Sequence, residues 1–378
     1  MQSPCNSMSR GHYAGRILFV LALLCVAASQ PAFGQDLQEQ SDGHHSPEHT
    51  RGFTFKDLGI LPGGSISLAA AINNHGQVVG EADAANGAGR AFLFEHGVMT
   101  DLGTLPGGFF SSATGINDRG QVVGIADTAS FTSHAFLFEY GVMTDLGAFP
   151  GGDDESEAFG INNRGQVVGY SNTASATHAF LFEHGVMTDL GTLPGGGSSI
   201  AFGINDRGQV VGQAEIGSAT HAFLFEHGVM TDLGTLPGDL ESVAFAINDR
   251  GQVVGNSENG HGSSHAFLFE HGVMTNLGTL PGGTFSSASG INDSGQVLGE
   301  ANTASGDTHA FLFEHGVMTD LGILPGGANG FSVAGINNRG QVAGFSLTAS
   351  GAQRAALWTP EDCQSDHDYG RDESDHNR

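Results

Sequence analysis

A short phrase, Gly-Val-Met-Thr-Asp-Leu-Gly, returns from Gly97, Gly141, Gly185, Gly228 and Gly316, and the copy from Gly272 carries Asn276 in place of the aspartate. A shorter form, Phe55-Lys56-Asp57-Leu58-Gly59, precedes them all. The Asp or Asn falls at 57, 101, 145, 189, 232, 276 and 320, a spacing of 43 or 44 residues. Ile-Asn-Asp-Arg-Gly-Gln-Val-Val-Gly and close variants start at Ile72, Ile116, Ile161, Ile204, Ile247, Ile291 and Ile336. His-Ala-Phe-Leu-Phe-Glu starts at His134, His178, His221, His265 and His309, and the sets from Arg90 and Arg354 complete that series. Residues 53–358 are therefore seven copies of one supersecondary unit, which cannot bury its apolar faces without stacking on its neighbours.

Each unit reads as four short strands rich in Val, Phe, Ile and Thr, separated by glycine-containing turns. In the unit from 113 to 147 they are Ala113 to Asn117, Gln121 to Ala126, Ala135 to Glu139 and Val142 to Leu146. The turns Asp118-Arg119-Gly120 and Tyr140-Gly141, the latter His-Gly in most units, are short enough to force antiparallel hairpins. Alternation sends Phe136 and Phe138 to one face and Leu137 and Val142 to the other, so both faces are expected to be apolar, as in a blade packed between two others.

The phase of the repeat separates a ring from an open stack. The series enters at a fourth strand, Thr54 to Leu58, and leaves at a third, Ala355 to Trp358, which are hairpin partners in every complete unit. Closure joins them and removes both edges, whereas a β-solenoid would leave two open ends. The expectation is an all-β, closed seven-bladed β-propeller of four-stranded antiparallel blades, its last blade made by pairing of the N- and C-terminal strands.

On these residues the chain resembles the bacterial extracellular repeat family called HAF, after the His-Ala-Phe of the third strand. The resemblance covers all seven units and implies export and a repeated β-fold. It supplies no activity and no catalytic residue.

Export is also expected from the N-terminus. Arg10 and Arg16 precede an apolar run from Ile17 to Ala28 that ends at Ala32-Phe33-Gly34. That pattern is a secretory signal peptide over 1–34, cut near Gly34, because the run is too short for the roughly 20 residues of a membrane span. A polar linker (35–52) and an acidic tail (359–378) are expected to be disordered around the propeller, and the mature chain to be secreted or periplasmic. Loss of Cys5 and Cys25 with the signal leaves Cys363 without an intrachain disulfide partner.

The whole chain carries a formal charge of −27, and residues 53–358 hold eight basic against 29 acidic side chains. Nucleic acid and anionic membrane surfaces are excluded as partners on that balance. A monomer without cofactor is expected, with an extracellular protein or glycan as partner.

A seven-fold repeat multiplies one chemical group around a ring, whereas catalysis gathers different groups at one place. The repeated histidines are therefore first read as structural. A two-residue His-Gly turn sets a register in which His134 lies diagonal to Asp145, His178 to Asp189, His221 to Asp232, His265 to Asn276 and His309 to Asp320. Arg90 meets Asp101 and Arg354 meets Asp57 in the same way. His178 and His184, at the two ends of one strand, stand about 20 Å apart and cannot share a metal ion.

Loop parity supplies the functional expectation. In a four-stranded meander the first and third turns share one end, so the near-constant Asp-Arg-Gly and His-Gly turns lie on one face of the disc. The variable connections lie on the other. After each Leu-Pro-Gly these carry acids, Asp153, Asp154, Glu155 and Glu157 in one and Asp239 and Glu241 in another, or aromatics, Phe109, Phe110, Phe285 and Phe331. A non-enzymatic binding or scaffold module working through this face is expected; a propeller hydrolase or lyase acting on a glycan is the alternative.

Overall fold

The computed structural model describes residues 52–361 apart from 261 and 327–329. The expected signal peptide, all but the last residue of the linker, and the tail beyond Glu361 with Cys363 lie outside the described residues.

Twenty-eight strands form seven four-stranded antiparallel sheets, each a simple meander, with no helix among the described residues. Blade 1 runs from an inner strand, Ser67–Ile72, through Val78–Asp83 and Gly89–Glu95 to an outer strand, Val98–Asp101. Blades 2 to 6 repeat this pattern. Blade 7 takes its first three strands, Phe331–Ile336, Val342–Leu347 and Gln353–Pro360, from the C-terminus and its outer strand, Phe53–Asp57, from the N-terminus. Phe53 pairs with Pro360 and Asp57 with Ala356, so the closing strand runs two residues past the expected boundary at Trp358. The chain is a closed seven-bladed β-propeller.

Hairpin chemistry explains the regularity. In blade 3 Glu183 faces Val186 across His184-Gly185, and both turn residues have positive φ, +51° and +79°. Two consecutive left-handed residues match the twist of the flanking strands, and glycine takes the second position without strain. Every inner strand also carries a bulge, at Ala70, Thr114, Phe159, Phe202, Phe245, Ser289 and Ala334 in turn. In blades 3 to 5 the bulged residues are phenylalanines in contact, with ring centroids 5.3 Å and 5.8 Å apart.

The core is divided into seven layers, one between each pair of neighbouring blades. Val78 packs back toward blade 7 and Val79 forward toward blade 2, because adjacent strand residues face opposite ways. Phe92, Phe136, Phe180, Phe223, Phe267 and Phe311 are fully buried, as is Trp358 in blade 7. A serine at the start of each of the first six inner strands stitches blades together: Ser67 Oγ donates to the Gly59 carbonyl and accepts the Ala355 N–H, 2.6 Å and 2.9 Å away. The expectation that both blade faces are apolar holds for the inner three strands only. Val142 and its counterparts on the outer strands are about 60% exposed, because the rim of the disc has no neighbour to cover it.

Candidate functional site

The constant face is a continuous polar ring. Asn73, Asn117, Asn162, Asn205, Asn248, Asn292 and Asn337 are buried, and each Nδ2 donates to the backbone carbonyl of the next at 2.9–3.1 Å. One residue on, Asn74, Asp118, Asn163, Asp206, Asp249, Asp293 and Asn338 each accept at Oδ1 the N–H of the same position in the preceding blade. With seven isoleucines these rings line an axial opening of about 180 Å³. The turns are also tied outward, as Gln77 Nε2 donates to Glu95 Oε2 at 2.6 Å and five further blades repeat the bond.

The carboxylates of this ring differ according to their neighbours. Burial raises Asp118, but hydrogen bonds from the Asn74 N–H, the Asn74 amide and the Asn163 amide outweigh it, and the net shift is below the ordinary carboxylate range. Asp249 stands between Asp206 and Asp293; burial and these two like charges push it up.

On the third and outer strands, His134 Nδ1 lies 2.8 Å from Asp145, His178 Nδ1 2.8 Å from Asp189, His221 Nδ1 3.0 Å from Asp232 and His309 Nδ1 2.9 Å from Asp320. Arg90 Nε is 3.9 Å from Asp101 Oδ2. Two expected pairs are not formed. Asn276 accepts the Gly278 N–H and makes no bond with His265. Arg354 donates to the carbonyls of Gln353 and of Ser65 in the next loop, while Asp57 accepts the Gly59 N–H. Arg90 uses its Nη1 in the same way, on the carbonyls of Gly89 and Phe109, so the two arginines differ only in the approach of Arg90 Nε to its carboxylate.

The variable face sorts the other candidates. Asp153, Asp154 and Phe109 are exposed, Phe110 and Glu155 half-buried, and all belong to the loops around blade 2 and its junction with blade 3. Asp239 sits apart in the loop entering blade 5, and Glu241 opens the inner strand of that blade, facing Glu258 directly across the sheet. Burial and then the charge of Glu241 raise Glu258 above its usual value. Two candidates are corrected toward structural positions. Glu157 is 6% exposed within an inner strand and accepts a hydrogen bond from Tyr170 Oη at 3.3 Å. Phe331 stands where the other blades have the stitching serine and packs on the Trp358 layer. Phe285 is half-buried, its N–H donating to Asn302 Oδ1 at 2.8 Å.

Two residues outside the expected set carry unusual environments. Glu81, between blades 1 and 2, and Glu300, between blades 6 and 7, are each raised to about 7 by burial, against hydrogen bonds from Ser112 and from the Val333 N–H respectively. Their counterparts in other blades are Ile125, Tyr170, Gln213, Asn256 and Phe345, so no repeated motif marks the position. Among the described residues no group of three or more His, Cys, Asp or Glu is placed to hold a metal ion.

No protein-family model matches the chain, and no curated protein matches it. Among solved structures it is similar to a gluconolactonase of Xanthomonas campestris, at 10% identity over 88% of this chain and 99% of that one, with a TM-score of 0.43. A puromycin hydrolase is similar at 13% identity over 74% of this chain and 50% of its own length, with a TM-score of 0.47. A lectin of Aleuria aurantia is similar at 11% identity over 69% of this chain and 98% of its own, with a TM-score of 0.35. Likenesses of this strength carry no argument about what the chain binds or transforms.

Proposed function

We propose that this chain is a non-enzymatic binding module that engages an extracellular protein or surface polymer through its variable face, after export and removal of residues 1–34. The observation that supports this is the contrast between the two faces. On the constant face the repeated Asn, Gln and Glu side chains are engaged in circumferential and radial hydrogen bonds. On the variable face the loops differ from blade to blade and leave Phe109, Phe131, Asp153, Asp154, Leu240 and Glu241 exposed. Exposed aromatic and charged side chains on rigidly held loops are the usual material of recognition surfaces.

The test is a binding screen of residues 35–378 against glycans and extracellular proteins, run beside a glycoside hydrolase and lyase substrate panel. Replacing Asp153, Asp154 and Glu155 together is expected to change any binding found, whereas Arg119→Ala or Arg207→Ala on the constant face leaves it intact. Turnover of any substrate in the panel, or equal loss from both sets of variants, refutes the proposal.

A further inference from the structure

Outside the His-Gly and Tyr-Gly turns, two described non-glycine residues have positive φ: Phe131 at +62° and Asp154 at +61°. They belong to adjacent loops of the variable face. Phe131 closes a turn by donating its N–H to the Thr128 carbonyl at 3.1 Å. The same turn in blades 1, 6 and 7 is closed by Gly87, Gly306 and Gly351, each with positive φ. A side chain at this position strains the backbone, and Phe131 recovers nothing by burial, being 80% exposed. Folding gives no reason for a phenylalanine there.

Next to its turn, across the junction with blade 3, stand two exposed carboxylates, Asp153 and Asp154. Asp154 reaches back over blade 2, with Oδ2 3.5 Å from Thr132 Oγ1 and Oδ1 3.3 Å from His134 Nε2. Its neighbour Asp153 accepts from Asn172 at 2.8 Å. His134 is 8% exposed, and its Nε2 is buried without a hydrogen-bond partner despite the nearby carboxylate. Both ring nitrogens of His134 thus face carboxylates, Nδ1 that of Asp145 and Nε2 that of Asp154. The exposed carboxylates of Asp153 and Asp154 present acceptors outward to a group that only donates.

We infer that the blade 2–blade 3 junction, with Phe131, His134, Asp153 and Asp154, is a binding site for an arginine-bearing segment of a basic protein partner. A guanidinium has five N–H donors and no acceptor, pairs with carboxylates through its planar fork and stacks on aromatic rings. The charge of the chain, −27 over its full length, draws such a segment in. This rests on the binding-module proposal and names its partner chemistry.

The experiment uses a fluorescein-labelled peptide of alternating arginine and glycine, titrated into the mature chain at low salt, with a citrulline-for-arginine peptide as the uncharged match. Saturable binding of the arginine peptide alone is expected, weakened about tenfold by Phe131→Gly and by the pair Asp153→Asn, Asp154→Asn. Asp307→Asn, which removes a charge elsewhere on the same face, is expected to change it less than about twofold. Phe131→Gly restores the residue used by three other blades and keeps or raises the melting temperature, so lost binding is not lost folding. Equal binding of the citrulline peptide, equal weakening by Asp307→Asn, or no binding overturns the inference. A neutral glycan that binds in place of the peptide and is lost in Phe131→Gly overturns the arginine site while leaving the binding-module proposal standing.

Discussion

Asn337 Nδ2 donates to the carbonyl of Asn73 at 3.0 Å, across 264 residues of sequence, in the same geometry that Asn117 uses toward Asn162 at 2.9 Å. The seam of the ring is thus chemically the same as its interior steps. Asn337→Ala and Asn117→Ala are each expected to cost about 1–3 kcal/mol, the penalty for orphaning a buried acceptor. Urea melts of the two variants decide the matter, since a seam that opens in solution would make the Asn337 change nearly silent.

Removal of everything from Ala352 onward takes away the strand that pairs both with Phe53–Asp57 and with Val342–Leu347, and with it the fully buried Trp358. Each large apolar side chain lost is worth about 1.5–3 kcal/mol. The expected result is aggregation or a sharp fall in melting temperature, with hydrogen exchange rising in blade 1 as well as in blade 7. Exchange confined to blade 7 would contradict closure.

Glu81 and Glu300 bind protons more tightly in the folded chain, near 7, than an unfolded glutamate does near 4.5. Between those values the native state holds more protons, so their contribution to stability falls as pH rises through that window and levels off above about 7. Glu81→Gln and Glu300→Gln are each expected to raise stability at about pH 8 by on the order of 2 kcal/mol, with little effect at about pH 5. Denaturant midpoints across that range, compared with the parent, check both the sign and the window. A variant that destabilises most at high pH would show that the ionised side chain is held favourably.

Asp249 and Asp118 occupy the same ring position with opposite shifts. Asp249→Asn keeps the acceptor for the Asp206 N–H and adds a donor toward Asp293, as Asn338 already supplies at 2.7 Å. After discounting for solvent, a gain of about 0.5 kcal/mol at neutral pH is expected. Asp118→Asn should instead lose about 1 kcal/mol, because the amides of Asn74 and Asn163 both donate to Asp118 Oδ2. Thermal melts of the two variants at one pH separate the cases by sign.

His309→Ala removes a side chain bonded to Asp320 and should cost about 0.5–1 kcal/mol more than His265→Ala, whose side chain makes no such bond. Equal costs in urea melts would mean that the repeated histidines act through packing alone.

The blade count, the closure and the His–Asp diagonals are legible in the order of the amino acids alone. All three depend on short-range regularities: the 43- or 44-residue spacing, the strand at which the series starts and stops, and a two-residue turn that admits one register. What lies between blades depends on packing, where contacts join residues of different repeats that no local pattern relates. Glu157 turned inward because it stands on an inner strand, not on the loop before it. Phe331 fills a core layer where other blades place a serine, and Arg354 reaches the Ser65 carbonyl of a neighbouring loop. The raised carboxyls of Glu81 and Glu300 arise from desolvation against the following blade. Phe131 stood in plain view as a departure from a glycine position, but only the left-handed φ and the exposed ring gave that departure a meaning. Strand periodicity fixes what lies beside a residue within its own hairpin; it carries no term for what the next blade presses against it.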